Sequence, residues 1–149
     1  MVKTRKRGLR TSLELARVLV AEDNPATRLT LQTVLEAGGY RVDSAASAAE
    51  AVEKLDETEY ELVLTDLDME TPDSGLKVIA HARMMDYQPA TAVLRTETHT
   101  PSGPGRKFGA DFLVAPENLP EFLSQVATLI GSRASRRLNR EMRHHAAVV

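Results

Sequence analysis

The alternation of short apolar runs with helical stripes constrains this chain most. Arg17-Val18-Leu19-Val20-Ala21 and Leu62-Val63-Leu64-Thr65 are too short for helices and rich in β-branched residues, as strands buried on both faces are. Tyr40–Ala45, Thr91–Arg95 and Phe112–Val114 read as three further strands. Between them the apolar period lengthens to that of a helix. Leu29, Leu31, Val34 and Leu35 form one stripe, opened by Pro25 and stopped by Gly38-Gly39, since proline suits a first helical turn and glycine a C-terminal stop. Ser47 and Glu50 form a capping box ahead of Ala48, Ala51, Val52 and Leu55. Leu76, Val78, Ile79 and Ala82 form a third stripe, and Phe122, Leu123, Val126 and Ile130 a closing one.

Strands that alternate with helices in this way build βαβ units and therefore a parallel sheet. The pattern breaks between the fourth and fifth strands. Thr98–Gly105 carries two prolines and two glycines. Each proline removes a donor and each glycine weakens what remains, so the fourth helix is expected to be missing or reduced to a loop.

The charge is unevenly spread. The formal net charge is −2, yet residues 1–13 hold five Lys/Arg and no acid, and residues 131–149 hold five Arg against one Glu. Residues 14–130 then hold 9 basic and 20 acidic side chains. Three regions are expected: a basic disordered arm at 1–13, one folded domain at 14–132, and a basic tail or helix extension at 133–149. With no cysteine, disulfides and thiolate metal sites are excluded. No apolar run approaches the roughly 20 residues of a membrane helix, and a cytoplasmic setting is expected.

In open parallel sheets, ligands sit at the carboxyl ends of the strands. Glu22-Asp23 follows the first strand, Asp66 the third, and Asp68 lies two residues on. In the order 2-1-3-4-5, strands one and three are neighbours, and Glu22, Asp23 and Asp66 converge. Singly, each reads as a solvated loop-start acid. Together they repel, and a hard divalent cation such as Mg²⁺ relieves the repulsion. A carboxylate could then serve as a nucleophile toward a phosphoryl group. Thr96 adds a hydroxyl at the same rim, suited to a phosphoryl oxygen.

These segments resemble the receiver domains of bacterial two-component response regulators, from about Arg17 to Ile130. Val18–Asn24 looks like their first strand and acidic pair, Leu62–Met69 like their phosphoacceptor strand, and Gly109-Ala110-Asp111 like their late turn. The resemblance implies a flavodoxin-like, doubly wound five-stranded sheet. It implies that Asp66 accepts the phosphoryl group and that Thr96 and Phe112 are the switch hydroxyl and aromatic. Asp23 and Asp66 would ligate Mg²⁺ (or Mn²⁺), with Glu22 acting largely through water and Asp68 through its backbone carbonyl. The phosphodonor would be a histidine kinase or a phosphotransfer protein; the output protein is not named by the sequence. Such domains often dimerise through the fourth-helix face, so a homodimer stays open.

Four departures stand out. Ala115-Pro116 replaces the usual Lys-Pro, so the lysine that pairs with the phosphoryl group is missing, and neither Lys107 nor Arg95 sits at its position. The fourth helix is expected to be missing or reduced to a loop. Glu97 follows the switch threonine, and Met69-Glu70 stands where Met-Pro is common, in a loop one residue longer than usual. The expected function is therefore phosphorelay signalling without enzymatic turnover. The alternative is a receiver-fold interaction module independent of phosphorylation. A third reading is a Mg²⁺-dependent phosphohydrolase with Asp66 as nucleophile and Asp68 as acid/base; it lacks a substrate cap. The Arg-rich tail has no base-reading or aromatic element beside it, and nucleic acid is not the expected partner.

Overall fold

The computed structural model describes residues 15–94, 111–113 and 118–148. In chain order the elements are β1 (Arg17–Ala21), α1 (Pro25–Ala37), β2 (Arg41–Ala45), α2 (Ala48–Glu57), β3 (Leu62–Thr65), α3 (Ser74–Arg83), β4 (Ala90–Leu94), β5 (Asp111–Leu113) and α4 (Leu119–Val148). The strands form one parallel sheet in the order β2-β1-β3-β4-β5. This is the flavodoxin-like order expected of the sequence. The stretch expected to lack the fourth helix, with Thr96, Glu97, Ala115 and the basic arm at 1–13, lies outside the described residues.

The two faces of the sheet sort the core. Successive strand residues point to opposite sides, so Val18, Val20, Leu62 and Leu64 pack with Leu31 and Leu35 of α1 and Phe122 and Val126 of α4. Leu19, Ala21 and Val63 pack on the other face with Ala51 and Leu55 of α2 and Val78 and Ala82 of α3. Leu29 departs from expectation. It is 64% exposed, because it precedes the Leu31–Leu35 pair by a step that turns it off the buried stripe. Among the described residues, no helix is long and apolar enough to cross a membrane.

Local chemistry ends the elements where the sequence suggests. The Asn24 side chain accepts from the N–H groups of Ala26 and Thr27 at 3.0 and 3.1 Å, capping α1. Gly39 takes a φ of 98°, and the Tyr40 N–H returns to the Leu35 carbonyl at 3.1 Å; a residue with a Cβ would be strained there. At α2, the Ser47 hydroxyl accepts from the Glu50 N–H at 3.1 Å, while the Glu50 carboxylate reaches back to the Ala46 N–H at 2.9 Å.

The closing helix runs on well past its last apolar anchor. Arg133, 8% exposed, continues the inward face of α4 and donates to the backbone carbonyls of Tyr87 and Gln88 at 2.7 and 3.1 Å. Arg140, two turns on, donates to the Gln88 side chain. Cationic donors thus satisfy the carbonyls of the α3–β4 turn and hold the base of an otherwise exposed helical extension.

Candidate functional site

The site is built where β1 and β3 end. Ala21 and Thr65 are partners in register, and the hydrogen-bond ladder continues one step beyond them. The Asp66 N–H donates to the Ala21 carbonyl at 2.9 Å, and the Glu22 N–H to the Ala45 carbonyl at 3.0 Å. Both acidic residues therefore leave the sheet with fixed backbones. Glu22 is 3% exposed, Asp23 is exposed and Asp66 half-buried.

One carboxylate oxygen from each of Glu22, Asp23 and Asp66 lies within 4.8 Å of the others. The three acids expected to converge do so. Burial pushes the Glu22 carboxyl up to about 7; the Asn24 N–H works against this, and the charge of Asp66 adds to it. Asp66 is raised as well, first by burial and then by Asp23, with the Leu67 N–H opposing. Clustered acids held in this way favour either a proton or a cation. All the donors are hard oxygens at the open rim of a sheet, a set that suits Mg²⁺ and excludes softer thiolate-loving metals. The residues present fit the ion that the sequence implied.

Asp68 is placed differently. Its carboxylate accepts from the Asp73 N–H at 2.8 Å within its own loop and is not one of the three clustered acids. That position offers little to a role as acid/base beside Asp66. The backbone of Phe112 pairs with Val93 at the edge of the sheet. Thr96 lies outside the described residues.

Three further residues shape the site. Arg28 on α1 donates to the carbonyls of Glu22 and Asp23 at 2.9 and 3.4 Å, bracing the acidic turn with a cation. Gly75 sits against the acceptor strand: its N–H donates to the Leu67 carbonyl at 2.7 Å, and a Cβ there would lie 2.1 Å from the Asp66 carbonyl oxygen. Glu70 accepts from the Ala48 N–H through both carboxylate oxygens, at 3.0 and 2.8 Å. Its partial desolvation is outweighed by hydrogen bonds from Ala48, its own N–H, Ser74 and Ala49, and its carboxyl is held below the usual range. Arg28 follows the acidic pair by little more than a helical turn, a spacing that could have flagged it. Glu70 stands out in the sequence only as a departure from Met-Pro, and its partner is 22 residues away.

Comparison with known proteins gives one answer. Residues 18–111 match the family model described as response regulator receiver domain. The transcriptional regulatory protein PrrA of Mycobacterium leprae is 30% identical over 127 residues, covering 84% of this chain and 54% of that protein. The transcriptional regulatory protein BasR of Escherichia coli is 30% identical over 116 residues, covering 76% and 52%. The chain thus spans about half the length of these curated relatives. Among solved structures, the response regulator TrrA of Thermotoga maritima, determined with Mg²⁺ and BeF, superposes with a TM-score of 0.68 at 29% identity, covering 77% of this chain and 99% of that one.

Proposed function

Because this chain belongs to the response regulator receiver domain family, we propose that it accepts a phosphoryl group on Asp66 from a histidine kinase or phosphotransfer protein. The observation that carries the proposal is the convergence of Glu22, Asp23 and Asp66 at the ends of adjacent strands. A Asp66 carboxylate oxygen would form a bond to phosphorus as the bond between phosphorus and the donor's imidazole nitrogen breaks. The electron pair of that bond stays on the nitrogen. In this reading Asp23, Asp66 and the Asp68 carbonyl hold Mg²⁺ or Mn²⁺, with Glu22 acting through water. The bound ion supplies charge neutralisation for an approaching anion.

The rest falls to the chain's own residues. The ladder bonds at Ala21 and Ala45 fix the acids, Arg28 braces the first turn, and burial of Glu22 keeps one flank of the pocket from bulk water. Thr96 and Phe112 are proposed to carry the switch. The kinase partner has support from TrrA, which has been solved in complex with the histidine kinase ThkA and superposes on this chain with a TM-score of 0.66. The cytoplasmic setting belongs to the same proposal. Ala115 in place of lysine favours a second reading, an interaction module that no longer depends on phosphorylation.

Beryllofluoride with Mg²⁺ separates the two readings. In fluorine NMR, a bound signal that needs Mg²⁺ and disappears in Asp66→Asn is expected of the phospho-acceptor. A spectrum showing free fluoride species alone, at Mg²⁺ concentrations that saturate ordinary receivers, favours the interaction module.

A further inference from the structure

Glu70 stands apart from the acidic cluster, yet it closes a ring of contacts around it. The ring starts at the end of β1, where the Glu22 N–H is tied to Ala45 at the end of β2. Ala45 leads within three residues into α2, whose first N–H, that of Ala48, is taken by Glu70. Glu70 belongs to the loop that begins at Asp66, and the Asp66 N–H returns to Ala21 at the end of β1. Four segments are linked, and one side chain joins the two halves.

Three other hydrogen bonds of this loop point elsewhere. The Met69 N–H donates to the Ser74 hydroxyl at 2.8 Å, Asp73 to Asp68 at 2.8 Å, and Gly75 to Leu67 at 2.7 Å. All three fasten the loop to itself or to α3. Met69 packs against the core cluster that includes Ala48 and Ala51, and beside it the loop faces α2 across a cleft of about 250 Å³ lined by Ala48, Val52, Thr71, Ser74 and Lys77. Glu70 crosses that gap. A carboxylate at a helix N-terminus gains from both the free N–H groups and the helix dipole, which makes it a suitable anchor.

We propose that Glu70 is a positioning residue for cation binding. Its grip on α2 sets the height of the loop, and with it the Asp68 carbonyl and the Asp66 carboxylate, before any ion arrives. This role rests on the reading of the site as a Mg²⁺-dependent phospho-acceptor. Outer partners that orient ligands typically change metal affinity by about 10–100-fold when removed. Because Glu70 is exposed, the lower end of that range is expected.

The test uses the whole chain and Mg²⁺ alone as the probe, followed by amide NMR titration. Glu70→Ala is expected to weaken Mg²⁺ binding by about tenfold and to expose the Ala48 amide to hydrogen exchange. Glu70→Gln keeps the length and one acceptor oxygen and should restore part of the affinity. Ala48→Pro approaches from the other side. It removes the donor at a helix position that tolerates proline, behind Ser47, whose φ of −153° and ψ of 165° suit a residue before proline. It should lose part of the same affinity, and the double variant should lose no more than Glu70→Ala.

With acetyl phosphate, the Mg²⁺ concentration for half-maximal phosphorylation should rise while the rate at saturation recovers to within about twofold. A weakened fold would give the same split only with a visible unfolded fraction, so the amide spectrum of the ion-free variant must show it folded. Wild-type Mg²⁺ affinity in Glu70→Ala and Ala48→Pro would overturn the positioning role alone. Failure of the wild type to bind Mg²⁺ would overturn the reading of the site as well.

Discussion

Gly75→Ala is the substitution whose cost can be worked most directly from the coordinates. An added Cβ would lie 2.1 Å from the Asp66 carbonyl oxygen, 2.8 Å from the Leu67 Cα and 3.0 Å from the Asp66 carbonyl carbon. Carbon–oxygen contacts settle at roughly 3.3 Å or more, so α3 and the acceptor loop must part by on the order of 1 Å. The obstructing atoms are backbone and cannot rotate away. The 2.7 Å bond from Gly75 to Leu67 would then stretch past useful length. Overpacking costs about 1–3 kcal/mol and the lost bond about 1 kcal/mol. Better helix propensity returns at most about 1 kcal/mol. With the propensity return at its fullest, a net loss of about 1–3 kcal/mol is expected in urea unfolding.

The same displacement moves Asp66, so Mg²⁺ affinity should fall on the order of tenfold. Gly131→Ala is the control. A Cβ there meets nothing within 4 Å, and the change should add up to about 1 kcal/mol with Mg²⁺ binding unaltered. A wild-type unfolding midpoint for Gly75→Ala would refute the steric reasoning. Lost stability with unchanged Mg²⁺ affinity would show that α3 yields and the acceptor loop does not.

Three shorter predictions accompany it. Arg133→Met should cost about 2 kcal/mol in urea unfolding, because two carbonyls lose a cationic donor, whereas Arg137→Ala, at an exposed pair with Glu141, should change stability by no more than about 0.5 kcal/mol. Glu22 has its carboxyl raised from 4.5 to about 7, so its contribution to ion-free stability is full below pH 4.5 and is lost as the pH rises through 7, by up to about 3 kcal/mol. Glu22→Gln should flatten most of that slope, with a remainder from Asp66, and should match the wild type at pH 4.5; an unchanged slope would contradict the assignment. Ala115→Lys should enlarge the spectral response to phosphorylation, and identical responses in both proteins would dismiss the lysine's importance.

Much of this architecture was legible in the residues because it rests on local periods. Val18–Ala21 and Leu62–Thr65 read as buried strands, and the rule that ligands gather at strand ends placed Glu22, Asp23 and Asp66 together. Leu29 misled, since apolar identity within a helix does not fix which side it faces. The length of α4 was half-legible: beyond Ile130 the apolar period stops, and the anchor becomes the Arg133 guanidinium on carbonyls 45 and 46 residues away. Glu70 was legible as a departure from Met-Pro and nothing more. Its partner is a backbone N–H on another helix, and no pattern of side chains encodes such a meeting.

The central claim is that Asp66 is the phosphoryl acceptor, and intact-mass measurement after incubation with Mg²⁺ and acetyl phosphate tests it most directly. One phosphoryl adduct is expected on the wild type, dependent on Mg²⁺ and absent from Asp66→Asn. No adduct on the wild type, or an adduct that survives in Asp66→Asn, would contradict it.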